Sequence, residues 1–337
     1  MMGRLLPAIV ALGLLGCGRQ QVTPAAPSPT PATPPTQTGC GRTSTGLVPL
    51  FDMGARTYNG EPGGLYPGRS NARPDGHDTA GLERARAIGP LSSDGIPDPR
   101  GRYAFVSIGM SNTTQEFSAF KGPSDADISR DPALVVVDGA QGGQTALLWS
   151  SPGCACWGVL DERLARAGIA AKQVAVAWIK LADAGPSSGW PQYARQLRDE
   201  TATIVRLLKT RFPNLQLAYL SSRIYAGYAT TALNPEPYAY ESAFSVRWLI
   251  EDQLRGEPSL NFDASRGAVA APWLAWGPYL WADGLTPRSD GLTWTCAELQ
   301  QDGTHPSTIG QRKVADLLLT FVRTDTTARE WYLAGPF

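Results

Sequence analysis

The sequence predicts an α/β protein, a three-layer α/β/α sandwich with a parallel, flavodoxin-like central sheet. From Tyr103 onward, β-prone apolar runs alternate with helical stretches, and the runs are apolar at nearly every position. Strands that are buried on both faces read as continuous hydrophobic runs, and strands that alternate with helices form βαβ units. Short right-handed crossovers then place helices on both faces of one parallel sheet.

Each predicted element has its own signal. The strands are runs of aliphatic and aromatic residues, and the helices repeat apolar residues at helical spacing, with Pro213 ending the first of them. The predicted strands are Tyr103–Ile108, Ala133–Val137, Gln173–Ile179 and Leu215–Leu220, and the predicted helices are Tyr193–Phe212, Glu236–Arg255 and Ser307–Val322. The late aromatic residues Trp273, Trp276, Tyr279 and Trp281 indicate a strand and loop in the core more than a binding site.

The N-terminus has the pattern of a lipoprotein signal peptide. Arg4 supplies a positive charge, Leu5–Leu15 form an apolar run that is too short for a membrane span, and Leu14-Leu15-Gly16-Cys17 matches a lipobox. We therefore expect residues 1–16 to be a signal peptide and Cys17 to carry lipid. This predicts an exported protein of the cell envelope, anchored to a membrane by its N-terminal lipid. A plain secretory signal is the alternative interpretation.

The rest of the chain divides by composition. Residues 17–40 form a Pro/Thr-rich linker, and residues 41–102 form an irregular extension, rich in Gly and Pro, that is expected to pack on the main domain. The main domain covers residues 103–325, and residues 326–337 are a C-terminal tail. The chain has 30 basic and 30 acidic residues, so its net charge offers no electrostatic case for a nucleic-acid partner.

Four cysteines follow the lipobox, namely Cys40, Cys154, Cys156 and Cys296. In an exported protein they predict up to two disulfides, with three possible pairings. The Cys-Ala-Cys spacing is too tight for a usual structural zinc pair, and the chain has only two histidines. We therefore expect disulfides and no metal.

Candidate catalytic residues stand where the strands end. Ser111 follows the first strand, and Asp302-Gly303-Thr304-His305 precedes the last helix. The carboxyl ends of parallel strands meet at one edge of the sheet, where sites form. A serine hydroxyl needs an adjacent base to act as a nucleophile, and imidazole is the usual one. His305, with Asp302 three residues before it, fits this role better than His77, which lies in the irregular extension.

Backbone groups can complete such a site. A residue at a helix start has a free N–H, so Ser111 can contribute its own N–H to an oxyanion hole. The Gly-rich turn 139–143, which follows the second strand, can present another N–H. Structural alternatives stay open, because Ser111 can equally be a helix cap and Asp302–His305 a surface turn.

These segments resemble the SGNH (GDSL-type) hydrolase superfamily over about residues 103–323. The matching blocks are Gly109-Met110-Ser111-Asn112, Gly139-Ala140-Gln141-Gly142 and Asp302-Gly303-Thr304-His305. Met110 stands where the family usually has Asp. The third block, Lys180-Leu181-Ala182-Asp183, departs further, because Ala182 stands where the family has the Asn that completes its oxyanion hole.

The resemblance implies hydrolysis of an ester through an acyl-enzyme, with Ser111 as nucleophile, His305 as base and Asp302 as the group that orients the base. It also implies that the N–H groups of Ser111 and Gly142 hold the oxyanion, and that no cofactor is needed. The family includes carbohydrate acyl esterases and lipases. The expected substrate is therefore a small-molecule or polysaccharide ester outside the cell or in its envelope, with acetylated sugars foremost.

The substrate pocket is predicted from strand ends alone. Arg223 and Tyr225 follow the fourth strand, and Lys180 follows the third, so all three are candidate pocket residues. Lys180 or another side chain would have to replace the Asn that Ala182 removes. For Arg223, a structural ion pair and a substrate contact both stay open.

Two other interpretations compete with the esterase. An α/β-hydrolase would have Gly-x-Ser-x-Gly, whereas Thr113 occupies the last position here, and its acid would lie far from the His in sequence. A non-catalytic lipoprotein that binds glycans on a degenerate hydrolase scaffold is favoured by Met110 and Ala182. The intact Ser111 and Asp302–His305 pair favours catalysis.

Overall fold

A five-stranded parallel sheet forms the centre of the structure, a computed structural model that describes residues 39–335. The predicted signal peptide, Cys17 and most of the linker lie outside these residues. The strands are β1 (Thr57–Tyr58), β2 (Glu61–Pro62), β3 (Tyr103–Gly109), β4 (Leu134–Val137), β5 (Val174–Lys180), β6 (Leu217–Leu220) and β7 (Trp273–Trp276). The helices are α1 (Asp75–Arg86), α2 (Ser111–Asp125), α3 (Ala146–Trp149), α4 (Ala155–Arg166), α5 (Gln192–Arg211), α6 (Tyr238–Leu254), α7 (Thr308–Thr324) and α8 (Arg329–Tyr332).

The order of the sheet is β4-β3-β5-β6-β7, and every neighbouring pair is parallel. The first strand of the sheet, β3, therefore lies inside it, with the second strand on one side and the third on the other, as in flavodoxin-like folds. Such an order opens a crevice beyond the carboxyl end of the first strand. The predicted fold class is confirmed, and each predicted strand and helix begins and ends within two residues of its observed bounds.

Two layers of helices cover the sheet because its strands are apolar on both faces. All residues of β3 and β5 are buried. Trp178 stacks on Phe117 of α2, whereas the next residue, Ile179, faces Leu197 of α5, so the two helices lie on opposite faces. Helices α1, α7 and α8 join the layer of α2, and α3, α4 and α6 join that of α5. No helix within residues 39–335 is long and apolar enough to cross a bilayer.

The N-terminal extension contains a helix that the sequence did not predict. Helix α1 buries only His77, Gly81 and Ala85, so its inward face carries no large aliphatic side chain. Gly81 packs so closely on the Trp273 ring that an added Cβ would overlap it. The interpretation of residues 41–102 as wholly irregular is therefore wrong, because small and polar residues make this interface and leave no apolar periodicity.

The last described residues also form structure. Helix α8 buries Trp331 and Tyr332, and the Tyr103 hydroxyl of β3 donates a hydrogen bond of 2.5 Å to the Trp331 carbonyl oxygen. The segment that we predicted as a tail thus packs on the first strand of the sheet.

Two disulfides join the four cysteines, Cys40 with Cys296 and Cys154 with Cys156. The first ties the extension to the segment that leads into the Asp302–His305 loop. Nearby, the Asp283 carboxylate accepts hydrogen bonds from the Ser44 hydroxyl and from the backbone of the next two residues. The extension is therefore held to the main domain by a covalent bond and by a buried carboxylate.

The long-range disulfide should carry more stability than the local one. Replacing Cys40 and Cys296 with Ser should lower the free energy of unfolding by about 2–4 kcal/mol, because the bond restricts a long loop of the unfolded chain. The two cysteines are separated by 256 positions. The Cys154→Ser/Cys156→Ser variant is the matched control, since its bond spans only 2 positions. Urea unfolding under non-reducing conditions measures both, and equal losses would contradict the expectation.

Candidate active site

Ser111 begins α2 directly after the end of β3. Gly109, the last residue of the strand, has no room for a side chain, because a Cβ there would overlap the Thr113 hydroxyl and the Lys180 carbonyl oxygen. Ser111 is the first helical residue, and its N–H makes no hydrogen bond within the described chain. The chain thus presents a half-buried hydroxyl and a free N–H together at the carboxyl edge of the sheet.

Ser111, His305 and Asp302 meet at this edge, although they are distant in sequence. The Ser111 Oγ atom lies 2.7 Å from His305 Nε2, and His305 Nδ1 hydrogen-bonds to Asp302 Oδ2. With its Nδ1 proton donated to the carboxylate, the imidazole leaves Nε2 free to accept the hydroxyl proton. The side chains of His305 and Asp302 are 21% and 30% exposed, so the site is open to solvent.

A tight turn fixes the carboxylate and the imidazole. The second oxygen of Asp302 accepts hydrogen bonds of 3.0 Å from the N–H groups of Thr304 and His305. Gly303 has a φ of 63°, a left-handed conformation that favours glycine. Burial by itself would raise the pKa of Asp302, but the hydrogen bonds from His305 and from the backbone outweigh it and hold that pKa below its usual value. Asp302 therefore stays ionised and orients the ring.

The turn after β4 brings Gly142 beside Ser111. A Cβ on Gly142 would lie 4.0 Å from the Ser111 Cβ, so the two residues are neighbours. Gly142 is exposed, and its N–H has no partner within residues 39–335. The turn is anchored one step earlier, where the Gln141 N–H donates to the Gly109 carbonyl oxygen at 3.0 Å. Two free N–H groups, those of Ser111 and Gly142, therefore border the same space.

At the position where the family has an Asn, the third block of the resemblance carries no polar side chain. Ala182 is fully buried and presents a methyl group. Lys180 does not take over, since its ammonium group lies 2.5 Å from the Glu116 carboxylate and neither side chain is exposed. Burial lowers the pKa of Lys180 to about 8 and raises that of Glu116. Lys180 is thus an internal partner of α2, and its assignment to the substrate pocket is not supported.

The other two predicted pocket residues differ from each other. The hydroxyl of Tyr225 donates to the Arg42 carbonyl oxygen at 2.7 Å, so the buried ring packs against the N-terminal extension and away from a bound ester. Arg223 is 4% exposed, and its guanidinium makes no hydrogen bond or ion pair with the described residues. A structural ion pair, one of the two roles left open for Arg223, is absent from residues 39–335.

His77 has a structural position, as expected for the histidine that was not chosen as the base. Its Nε2 lies 2.8 Å from the Leu274 carbonyl oxygen of the edge strand β7, and its ring stacks on Trp273. Burial lowers the pKa of His77, so the ring is neutral. His77 fastens α1 to the sheet.

Two residues that support the site were not predicted. The Asp138 carboxylate accepts hydrogen bonds from Ser107 of β3 at 2.6 Å and from Thr114 of α2, which holds the Gly142 turn against the nucleophile helix. The Asn112 side chain donates to the Thr304 carbonyl oxygen at 2.9 Å and so joins that helix to the His305 loop. An Asp at the end of a buried strand, just before a Gly-rich turn, is the signal that could have indicated the first.

The arrangement can perform nucleophilic chemistry. The imidazole can remove the Ser111 proton, the Asp302 carboxylate can stabilise the imidazolium that forms, and the two free N–H groups can stabilise negative charge next to the hydroxyl. Within residues 39–335, no group of three or more His, Cys, Asp or Glu side chains is placed to hold a metal ion.

Comparisons with known proteins give weak similarities. No protein-family model and no curated protein matches the chain. A proposed acylhydrolase from Bacteroides fragilis is 12% identical over 77% of this chain and 100% of its own length, with a TM-score of 0.39. A gut microbial diltiazem-metabolizing enzyme is 15% identical over 68% of this chain, which spans 48% of that enzyme's length, with a TM-score of 0.37.

A third solved structure, the periplasmic domain of the lipopolysaccharide acetyltransferase of Salmonella ser. Paratyphi A, is 12% identical. It covers 74% of this chain and 97% of its own length, with a TM-score of 0.35. At TM-scores this low the similarities carry no argument about activity, which has to come from the geometry of the site.

The turn at Gly303 offers a test of that geometry. Gly303→Ala and Gly291→Ala both place a side chain at positive φ, 63° and 85°, and each adds backbone strain of about 1 kcal/mol. Only at Gly303 would the Cβ also overlap a neighbour, the Tyr228 carbonyl oxygen, whereas Gly291 has no neighbour within 4 Å. We expect Gly303→Ala to lose about 2 kcal/mol or more in urea unfolding and to slow labelling of Ser111 by a fluorophosphonate. Equal behaviour of the two variants would contradict this role of the turn.

Proposed function

We propose that this protein is a serine ester hydrolase that works through an acyl-enzyme. The observation that carries the proposal is the chain of contacts from Ser111 Oγ to His305 Nε2, at 2.7 Å, and from His305 Nδ1 to Asp302. The free N–H groups of Ser111 and Gly142 beside that hydroxyl support it. A helix cap or a surface turn would not need the contact between Ser111 and the imidazole.

In the first half of the proposed reaction, Ser111 Oγ attacks the ester carbonyl carbon while His305 Nε2 takes the hydroxyl proton. The carbonyl oxygen becomes an oxyanion, which accepts hydrogen bonds from the Ser111 and Gly142 N–H groups. The imidazolium, stabilised by Asp302, then returns the proton to the departing alcohol oxygen. The products are a free alcohol and an acylated Ser111.

In the second half, water takes the place of the alcohol. His305 Nε2 removes a proton from the water, whose oxygen attacks the acyl carbon, and the same two N–H groups stabilise the second oxyanion. Collapse of this intermediate returns the proton to Ser111 Oγ and releases the carboxylic acid. No cofactor enters the scheme.

The openness of the site favours a short acyl group on a large alcohol. His305, Asp302 and Gly142 all reach solvent, so a polysaccharide can approach the edge of the sheet without entering a deep channel. We therefore propose an acetylated carbohydrate, or another ester outside the cell or in its envelope, as the substrate. A non-catalytic protein that binds the same glycans is the second candidate, favoured by the methyl group of Ala182 at the oxyanion position.

The triad variants test the activity. Ser111→Ala and His305→Ala should each lower kcat on p-nitrophenyl acetate by about 10⁴-fold or more, and the double variant should be little worse than either, because the two residues act as a unit. Asp302→Ala should lose less, since it contacts His305 and not the substrate.

Ser93→Ala is the control, because Ser93 is an exposed serine of the N-terminal extension. It should keep full turnover and full labelling by a fluorophosphonate. A folded Ser111→Ala protein that hydrolyses the ester as fast as the wild type would eliminate the serine-esterase proposal and favour glycan binding.

We also propose that the protein is exported and held at a membrane by lipid on Cys17. This rests on the lipobox Leu14-Leu15-Gly16-Cys17 and the short apolar run before it. Cys17→Ser should yield a protein without the mass of the lipid that leaves the detergent phase on phase separation. Cys40→Ser is the control and should keep its lipid. Unchanged mass and partitioning of the Cys17→Ser protein would refute the anchor.

A further inference from the structure

Arg223 and Ser111 follow strands that end at the same edge of the sheet. Gly109 of β3 pairs with Lys180 of β5, and Ile179 of β5 pairs with Leu220 of β6. The Ser221 N–H still donates to the Ile179 carbonyl oxygen at 2.9 Å, so the second pairing continues past the end of β6. Ser111 and Ala182 stand two residues after the ends of β3 and β5, and Arg223 stands three residues after the end of β6, so all three lie just beyond the carboxyl edge of the sheet.

The guanidinium of Arg223 has no hydrogen-bond or ion-pair partner among residues 39–335. Its Nε atom is buried without an acceptor, and no carboxylate of the described residues forms an ion pair with it. Its backbone is fixed, since the Arg223 N–H donates to the Ser242 hydroxyl at 3.0 Å. Folded proteins rarely bury a charge without compensation, because the loss of hydration is costly. A buried guanidinium with a fixed backbone and no ion-pair partner among residues 39–335 is therefore suited to stabilise a negative charge that forms during a reaction.

The acidic groups near Arg223 form no ion pair with it among residues 39–335. Lys180 and Glu116 form a buried ion pair with each other. Burial lowers the pKa of Arg223, while the acidic groups Glu116, Glu236 and Asp302 act in the opposite direction. Asp302, which belongs to the triad, is thus among the acidic groups that act on Arg223.

We propose that Arg223 donates the third hydrogen bond to the oxyanion formed on Ser111, in place of the side chain that Ala182 lacks. Arg223 follows the strand next to that of Ala182, and neighbouring strands lie about 4.8 Å apart. The arginine side chain has three more bonds than that of asparagine, which offset most of this distance. As the carbonyl carbon bonds to Ser111 Oγ, the π electrons move to the oxygen. That oxygen then faces the two N–H groups and the cation of Arg223.

This inference rests on the proposed ester hydrolysis, and a charged donor changes its energetics. A hydrogen bond from a cation to an oxyanion is stronger than one from a neutral amide. The ester carbonyl is neutral in the ground state, so the charge of Arg223 acts mainly once the oxyanion exists. The loss of Arg223 should therefore lower kcat and leave KM nearly unchanged.

The test uses the full chain and p-nitrophenyl acetate, a substrate without an anionic group. Arg223→Met should lower kcat by about 10²–10³-fold, with KM within about twofold of the wild type. Its Tm should stay the same or rise, because an apolar side chain of similar length removes a buried unpaired charge. Arg195→Met, which alters an exposed arginine of α5, is the control and should leave kcat unchanged.

The possible outcomes are distinct. A kcat for Arg223→Met within about threefold of the wild type, or a change in KM alone, would overturn the role of Arg223 while ester hydrolysis stands. A fall in Tm with no selective loss of kcat would indicate a structural role and would also overturn it. If Arg223→Met does not fold, Arg223→Lys replaces it. A kcat equal to that of the wild type would then contradict the proposal that the planar guanidinium of Arg223 holds the oxyanion. A wild type whose hydrolysis does not depend on Ser111 would refute the proposed function itself.

Discussion

The close approach of Gly109 to β5 and to the first turn of α2 is the constraint on which the site depends. No side chain fits at Gly109, so the helix begins immediately after the strand and its Thr113 hydroxyl donates to the Lys180 carbonyl oxygen at 2.7 Å. This bond docks the first turn of α2 on β5. The Ser111 N–H, at the start of that turn, has no hydrogen-bond partner within residues 39–335. The Gly142 turn and the His305 loop are then positioned against that turn by Asp138 and Asn112 side chains.

The charged groups at this edge of the sheet are of two kinds, partly exposed and buried. Asp302 is partly exposed, and the His305 ring and two backbone N–H groups together keep its pKa low. Lys180, Glu116 and Arg223 are buried. Replacing a buried ion pair with apolar residues is often neutral or stabilising, so stability alone does not account for this cluster. The proposed role of Arg223 at the oxyanion would account for the buried guanidinium.

The sequence predicted the fold well where burial alone decides structure. The strands β3 and β5 are apolar runs buried on both faces, and α5 repeats apolar residues at helical spacing. Both patterns are visible in the sequence. The helix α1 could not be predicted, because it packs through a glycine and a histidine. Ser111 was predicted from its place at a strand end, and His305 and Asp302 from their spacing before the last helix and from the resemblance. The environments of Lys180 and Arg223 depend on how the strands align. That of Lys180 also depends on its ion pair with Glu116 of α2. The order of residues along the chain specifies neither.

At the two positions that depart from the resemblance, apolar side chains replace polar ones. Met110 and Ala182 both put buried apolar groups beside Ser111 where the family has polar ones. The backbone role of Met110 is kept, since its carbonyl oxygen still accepts the Thr114 N–H at 3.0 Å. Apolar neighbours lower the local dielectric, so each remaining donor acts more strongly on a developing charge. A site with fewer polar side chains can therefore stabilise an oxyanion with two N–H groups and one cation, provided that the cation is held in place before the substrate arrives.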